Sequence, residues 1–321
     1  MRSVLLVVHP ILDFNVRHAP TTVVMGYIHG FEQLGVPARY VKEPDLEQAL
    51  DMEDDLVLYL GYDNYNRLTD AALRKIRDVP HCIGVPMWCD GIEQQLLKYN
   101  LLWSLNRGTT DKILNSNARF LFTTTTEKYY EFWESWIKSG IRFESLPEAC
   151  DTTLFFPPHR KRKFTDVEVA FVGGYRDYKE DIYAQFLWPY EGRLALFGYS
   201  EWPKCNRGYL PNEDEALLYR DAKVVPAIGE PFQWQMGTYY ERPFKVLGSG
   251  GLTITDTSPP YRELFTDKEL LVPDTLAQYY EMMHLALTDE SFNKKWRRRG
   301  RKAVLERHTY KHRAAKILEM L

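Results

Sequence analysis

Short apolar runs alternate with longer amphipathic stretches along the first part of the chain. The runs at residues 3–8, 39–41, 55–60, 81–88 and 120–123 have the length and composition of buried strands. Between them, residues 21–34 (closed by Gly35), 70–77, a stretch from Ile92, and 127–139 (closed by Gly140) predict helices. This order of strands and helices is typical of parallel, doubly wound sheets.

The pattern breaks at residues 145–164, which hold three prolines followed by a basic run. We predict an interdomain linker here, centred on residues 151–164. The basic residues 159–163 fit either a solvated linker or a contact with phosphate or nucleic acid.

A second series of strands and helices then starts over. Strands are predicted at 167–172, 194–197, 224–228 and 270–272, with helices at 182–187, 214–220, 275–287 and 291–321. With 321 residues, the chain is long enough for two domains. We therefore expect two Rossmann-like domains, one from each series.

The stretch GTYYERPFKVLGSGGLTITD, residues 237–256, predicts a short helix, a glycine break and a strand. Pro243 suits a first helical turn, where its missing N–H loses no partner. Gly248, Gly250 and Gly251 then end the helix, either by supplying a positive φ or by allowing tight packing.

Composition and charge exclude several classes of protein. Apolar residues make up 45% and charged residues 26% of the chain, as in ordinary soluble proteins, and the net charge of -3 argues against a general nucleic-acid coating protein. The four cysteines lack the spacing of a zinc site or a disulfide scaffold, which favours reduced thiols in the cytoplasm. The first residues resemble a buried strand more than a signal peptide, and no apolar run approaches the ~20 residues of a membrane span.

Five phrases together resemble a known family. LPEACDTTLFFP, VAFVGGY, LPNEDEALLYRDAKVVPAI, ERPFKVLGSGGLTITD and HTYKHRAAKIL, in this order, are similar to the spore-maturation (CgeB-type) glycosyltransferases of the GT-B fold. The resemblance covers residues 120–321. It implies an α/β enzyme with two Rossmann-like domains whose parallel sheets face each other across a cleft.

The resemblance also implies a role for each domain. Residues 1–150 would hold the acceptor, residues 165–304 would bind the nucleotide-sugar, and the last helix, about 305–321, would join the first domain. The donor would be a UDP-, GDP- or dTDP-sugar, used without another cofactor, and the acceptor a glycan, a protein or DNA.

The predicted donor site follows the first strand of the second domain. Gly173 and Gly174 would let the backbone approach the diphosphate, with Arg176 or Lys179 offsetting its charge; the alternative is a plain tight turn. The segment 237–256 adds Glu241, Arg242, Lys245, Gly250 and Gly251 to the predicted site.

Two expected carboxylates are missing from this segment. Many related retaining enzymes carry two glutamates whose positions are occupied here by Gly237 and Lys245. Arg242 and Lys245 therefore predict a diphosphate clamp, unless Lys245 is an ordinary surface residue. Glu241 either pairs with Lys245 one turn away or reaches the ribose itself.

Catalytic candidates follow the strands of the first domain. Asp13 and His18 come after the first strand, Asp63 after the third and Asp90 after the fourth, where an inverting enzyme would need a base beside the acceptor hydroxyl. Each could equally be a cap or a solvated loop residue. No Asp-X-Asp element occurs, so we predict a metal-independent reaction, and the resemblance implies retention of configuration.

The basic run 294–302 is the densest positive charge in the chain. It fits a solvated helix face or a contact with an anionic acceptor such as DNA, a teichoic-type polymer or a lipid headgroup. Three functions compete with a glycosyltransferase: a nucleotide-sugar epimerase or hydrolase, a non-catalytic nucleotide-sugar or glycan-binding protein, and a transferase that modifies DNA.

Overall fold

The chain divides into two compact units. The structure, a computed structural model, describes residues 3–16, 18–50, 56–60, 68–85, 89–98 and 109–321. Unit 1 comprises Met1–Pro147 and Tyr310–Leu321, and unit 2 comprises Glu148–Thr309. The chain therefore leaves unit 1 once and returns to it for its last helix.

Unit 1 is built on one parallel six-stranded sheet with the order β2-β1-β3-β4-β5-β6. Its strands are β1 Val4–Val8, β2 Ala38–Lys42, β3 Leu56–Tyr59, β4 His81–Gly84, β5 Phe120–Thr123 and β6 Phe143–Ser145. Its helices up to the crossing are α1 Ala19–Glu32, α2 Leu46–Ala49, α3 Asp70–Asp78, α4 Ile92–Lys98, α5 Thr109–Leu114 and α6 Glu134–Lys138. All five residues of β1 and all four of β3 are buried, as expected for strands covered on both faces.

Unit 2 holds four short parallel strands in two pairs, β7 with β8 and β10 with β9. They are β7 Val169–Val172, β8 Leu194–Phe197, β9 Val225–Ala227 and β10 Thr253–Thr255. A single parallel bridge between Val169 and Val224 joins the pairs. The helices are α7 Glu180–Phe186, α8 Glu215–Asp221, α9 Pro231–Met236, α10 Arg242–Gly248, α11 Leu276–Thr288 and α12 Glu290–Arg307.

Four predicted elements differ from the observed ones. Residues 127–139 form the 3₁₀ helix Glu127–Trp133 followed by the short α6. The predicted strand 270–272 is one bridge, from Leu271 to Ile254. The predicted helix 291–321 breaks at His308 and Thr309, giving α12 and then α13, Tyr310–Met320. The predicted strand 81–88 ends as β4 at Gly84, and residues 86–88 lie outside the described residues.

Helix α13 packs closely on α1 within unit 1. A Cβ at Gly26 would lie 2.1 Å from the Tyr310 ring, and one at Gly30 would lie 2.6 Å from the Tyr310 carbonyl oxygen. The buried Arg313 guanidinium donates to the Pro147 carbonyl at 2.6 Å. The last twelve residues are thus part of the core of unit 1.

The segment 151–164 lies within unit 2. Phe155 is fully buried in its core. The backbone N–H groups of Lys163 and Phe164 donate to the Asp221 carboxylate at 2.7 and 3.2 Å. These bonds hold the segment against the carboxyl end of α8.

Among the helices of the described residues, none is long and apolar enough to cross a bilayer.

Candidate active site

The loops after β7 and β8 meet at the carboxyl end of the sheet in unit 2. The Gly173 N–H donates to the Phe197 carbonyl at 2.8 Å, and the Tyr175 N–H donates to the Ser200 hydroxyl at 2.6 Å. A Cβ at Gly198 would lie 2.2 Å from the Gly173 carbonyl oxygen, so this close approach requires glycine. The N–H of Gly174 donates to no group among the described residues.

Arg242, the first residue of α10, ties the ends of two strands together. Its guanidinium donates to the carbonyls of Ile228 at 2.9 Å and Val172 at 3.0 Å. The same group lies 4.2 Å from the centroid of the Phe171 ring. Since a guanidinium has five N–H donors, three remain after these two bonds. The structure therefore places a cation with spare donors beside Gly173.

Lys179 is a second cation at this end of the sheet. Its ammonium is 8% exposed and lies 3.3 Å from the Glu230 carboxylate, which also accepts the Tyr178 hydroxyl at 2.8 Å. Burial lowers the pKa of Lys179, against the opposing effect of Glu230. Arg242 contributes to the same lowering, because two cations near one another disfavour the charged form.

Asp256 is a buried carboxylate at the same end of the sheet. It follows β10, is fully buried, and accepts the Gly229 N–H at 2.7 Å and the Tyr240 hydroxyl at 3.4 Å. These bonds hold the loop after β9, which carries the carbonyl of Ile228 that Arg242 binds. Asp256 is thus a positioning residue for that loop.

Arg176 is exposed in the loop between β7 and α7. Its guanidinium carbon lies 4.0 Å from the position that a Cβ on Gly174 would take. Arg176 and Arg242 are therefore both close to the two-glycine loop.

Lys245 lies in the core and not on the surface. Its ammonium is 2.8 Å from the Glu241 carboxylate, 3.8 Å from that of Glu215 and 4.9 Å from the Phe155 ring centroid. Burial alone would lower the pKa of Lys245, but the carboxylates of Glu241 and Glu215 raise it overall. Its charge is therefore satisfied inside unit 2, as is that of Glu241, which is 2% exposed.

Gly250 and Gly251, which follow α10, lie at the amino end of the strands in unit 2, whereas Gly173 lies at their carboxyl end. Gly250 has φ of +78°, and a Cβ at Gly251 would lie 2.4 Å from the Tyr219 carbonyl oxygen. Both precede β10, whereas Asp256 and the Gly173 loop follow strands. The structure thus does not bring Gly250 and Gly251 together with Gly173, Arg242 and Lys179.

The candidates from unit 1 share one end of its sheet. Asp13 is exposed and accepts the Asn15 N–H at 2.9 Å, and His18 precedes α1 and donates its backbone N–H to the Thr21 hydroxyl at 3.1 Å. Asp90 is exposed and accepts the Ser135 N–H in the first turn of α6 at 2.9 Å. Both carboxylates therefore accept backbone N–H groups, Asp13 from its own loop and Asp90 from α6. Asp63 lies outside the described residues.

Sequence reasoning missed Glu230 and Asp256. Both are carboxylates in a loop that follows a predicted strand, the same signal that selected Asp13 and Asp90 in unit 1. In the described part of the chain, no three His, Cys, Asp or Glu side chains are grouped as metal ligands.

The fold matches that of several solved structures. The chain has the GT-B fold of a T4 phage BGT mutant in complex with UDP-glucose, with a TM-score of 0.64, 11% identity and coverage of 100% of this chain and 97% of that one. For sucrose-phosphate synthase from Thermosynechococcus elongatus the TM-score is 0.63 and the identity 11%, with coverage of 100% of this chain and 98% of that one. For Anabaena HepE in complex with UDP and glucose the TM-score is 0.59 and the identity 11%, with coverage of 99% of each chain. The predicted GT-B fold is confirmed.

A model of a protein family matches the second part of the chain. Residues 179–319 match the family described as glycosyl transferase-like. Among curated proteins, no sequence matches the chain significantly. The matched domain and the shared fold together indicate an enzyme of the glycosyltransferase class.

Proposed function

We propose that the protein transfers a sugar from a UDP-sugar to an acceptor, with unit 2 binding the donor and unit 1 the acceptor. The observation that carries this proposal is the carboxyl end of the sheet in unit 2, where Arg242, Lys179 and the open N–H of Gly174 lie around one loop. Two cations and a backbone donor are what a diphosphate requires. UDP is chosen because T4 phage BGT and HepE were both seen with it.

In this proposal the leaving diphosphate is stabilised without a metal. Arg242 supplies its spare N–H donors, Arg176 adds an exposed positive charge, and Gly174 donates its N–H to a phosphate oxygen. The reaction then proceeds with retention, as the CgeB-type resemblance implies. Glu241, Lys245, Gly250 and Gly251 support the fold of the donor unit in this scheme and do not contact the donor.

The catalytic group beside the acceptor hydroxyl is proposed among Asp90, His18 and Asp13. All three follow strands at the carboxyl end of the sheet in unit 1, which is where ligands bind in open α/β sheets. The four free cysteines of the described chain fit a cytoplasmic enzyme.

The test is a thermal-shift panel of UDP, GDP and dTDP with their sugars, followed by hydrolysis of the donor that stabilises most. We expect UDP-glucose or another UDP-sugar to stabilise the protein and to be hydrolysed slowly, with the same rate in EDTA. NMR of the released sugar would give the anomeric outcome. No stabilisation by any nucleotide would contradict the donor site, and loss of hydrolysis in EDTA would contradict the metal-free step.

A second candidate is a non-catalytic protein that binds a nucleotide-sugar. Gly237 ends α9 in the left-handed region, with φ of 65°, where a glutamate is disfavoured. Lys245 occupies the other expected glutamate position and is buried against Glu241. Stabilisation by UDP-sugars without hydrolysis, and without transfer to glycan, protein or duplex DNA, would favour this candidate. The DNA arm is included because β-glucosyltransferase is described as a DNA-modifying enzyme.

A further inference from the structure

The two basic runs of the sequence, 159–163 and 294–302, meet on one face of unit 2. The carbonyls of three consecutive residues at the end of α8 bind arginines from both runs. Arg162 donates to the Asp221 carbonyl at 2.7 Å, and Arg297 donates to that of Arg220 at 2.7 Å and to that of Ala222. Segments about 130 residues apart in sequence are therefore joined through the same helix end.

Partly buried arginines hold this junction in place. Arg297 also donates to the Gly250 carbonyl at 3.0 Å, and burial lowers its pKa to about 10, with a further contribution from Arg162. Arg220 donates to the carbonyls of Pro158 and Arg160. The arrangement is thus a built feature of unit 2 and not a chance approach of two loops.

Six exposed cations of the two runs form what we call the basic face: Arg160, Lys161, Arg162, Lys294, Lys295 and Arg298. Their acidic neighbours are few: Asp221 pairs with Arg220 and Arg162, and Glu290 pairs with Lys294. Within the described part of the chain, Arg160, Lys161, Lys295 and Arg298 have no carboxylate within 4 Å. The basic face is therefore strongly positive on a chain of net charge -3.

The basic face lies away from the proposed donor site. Arg297 and Asn293 donate to the carbonyl of Lys223, which precedes β9, and Gly250 precedes β10. These contacts place it at the amino end of the strands, whereas Arg242 and Gly174 lie at the carboxyl end. A diphosphate donor and a ligand of the basic face would therefore not compete.

We propose that the basic face binds the surface of an anionic lipid bilayer. Phosphate headgroups match its arginines and lysines, because the negative surface of an anionic bilayer attracts clustered basic residues. Two exposed apolar side chains lie close to it along the chain: Phe156, 45% exposed, precedes the first run, and Leu305, 38% exposed, lies two helical turns after Arg298 on the same helix face. A bilayer interface accepts both cations and apolar groups, whereas duplex DNA presents phosphates and keeps its bases stacked inside.

The test is sedimentation of the full chain with vesicles. Wild type is expected to bind vesicles of equal phosphatidylglycerol and phosphatidylcholine, to lose binding at high salt, and to ignore pure phosphatidylcholine. The variants Lys295→Glu/Arg298→Glu and Arg160→Glu/Lys161→Glu should each weaken binding by at least about tenfold. The control Lys138→Glu/Lys311→Glu makes the same change of net charge on exposed residues of unit 1 and should change binding by less than about twofold.

Phe156→Ser separates a bilayer from other polyanions. It should weaken vesicle binding and leave any binding to a duplex DNA oligonucleotide unchanged. Equal vesicle binding by the basic-face variants and the control would overturn the proposal, as would binding to duplex DNA without binding to vesicles. Because the altered residues are exposed, unchanged circular dichroism is expected for all variants.

Discussion

Arg242 and Lys245 are three residues apart on one short helix, yet their surroundings are opposite. Arg242 reaches the ends of β7 and β9 and keeps spare donors, while Lys245 points into the core and is neutralised by Glu241 and Glu215. The sequence predicted both as one clamp, because two cations near a helix start look alike along the chain. Only the positions of their partner groups distinguish them.

Arg242→Ala is expected to weaken binding of UDP and UDP-glucose much more than binding of uridine. The reason is that the guanidinium is proposed to face the diphosphate and not the nucleoside. The variant should also lose about 3 kcal/mol of unfolding free energy, because the carbonyls of Val172 and Ile228 lose a charged donor. Calorimetric titration and urea unfolding measure the two effects.

Arg193→Ala serves as the control, since this arginine is exposed and its ion pair with Glu168 is 3.4 Å long. It should change neither nucleotide binding nor stability by more than about 0.5 kcal/mol. An Arg242→Ala protein that loses the same affinity for uridine as for UDP would contradict the role of Arg242.

At the scale of elements, the loops after β7 and β8 shape the candidate site more than any helix does. Sequence reasoning found the strands and Gly173-Gly174, because a buried strand followed by glycines is a local signal. It did not find that the two loops approach each other most closely at Gly198 and Gly173, since these residues are 25 positions apart. The three-residue strand β6 was missed for a similar reason: Phe143–Ser145 is defined by its pairing with β5 and not by its own pattern.

Gly198→Ala is expected to push the loop after β8 away from the Gly173 carbonyl. The added Cβ would lie 2.2 Å from a backbone oxygen, which cannot move aside as a flexible side chain could. We expect a loss of about 1–3 kcal/mol in unfolding free energy. Weaker UDP-glucose binding should accompany it, because the loop after β8 holds the Gly174 loop through the bond of the Tyr175 N–H to the Ser200 hydroxyl.

Gly192→Ala is the matched control, because a Cβ there meets nothing within 4 Å. It should leave the melting temperature and UDP-glucose affinity close to wild type. A Gly198→Ala variant that behaves like Gly192→Ala would show that the two loops do not need this approach.

At the scale of the whole molecule, the order of residues along the chain does not follow the order of the units. The chain passes from unit 1 to unit 2 after Pro147 and returns after Thr309, so α13 belongs with α1. The break between α12 and α13 is invisible to helical periodicity. It follows from tertiary contacts, among them a bond of the Cys150 N–H to the His308 carbonyl at 2.9 Å.

Deleting residues 310–321 is expected to destabilise unit 1 selectively. The deletion uncovers the face of α1 around Gly26 and removes the buried side chains of Tyr310, Ala314 and Ile317, worth roughly 5 kcal/mol together. Limited proteolysis should cleave within residues 1–147 and spare 148–309. Deleting only Leu321, which is 44% exposed, should leave the cleavage pattern of the full chain unchanged. Equal resistance of the two deletion variants to proteolysis would contradict this account.

The sequence by itself determined most strands and α10 with its glycine break, and its resemblance to the CgeB-type family implied the GT-B fold and the glycosyltransferase class. The elements follow from local patterns, because a buried strand, a helix start and a glycine turn are each encoded within a few residues. The tertiary structure alone decided that Arg242 faces the Gly173 loop, that Lys245 is buried with Glu241, and that Gly250 and Gly251 lie at the other end of the strand. It also decided that the two basic runs form one face. Such relations depend on contacts between residues distant in the chain, and charge or periodicity along the sequence carries no record of them.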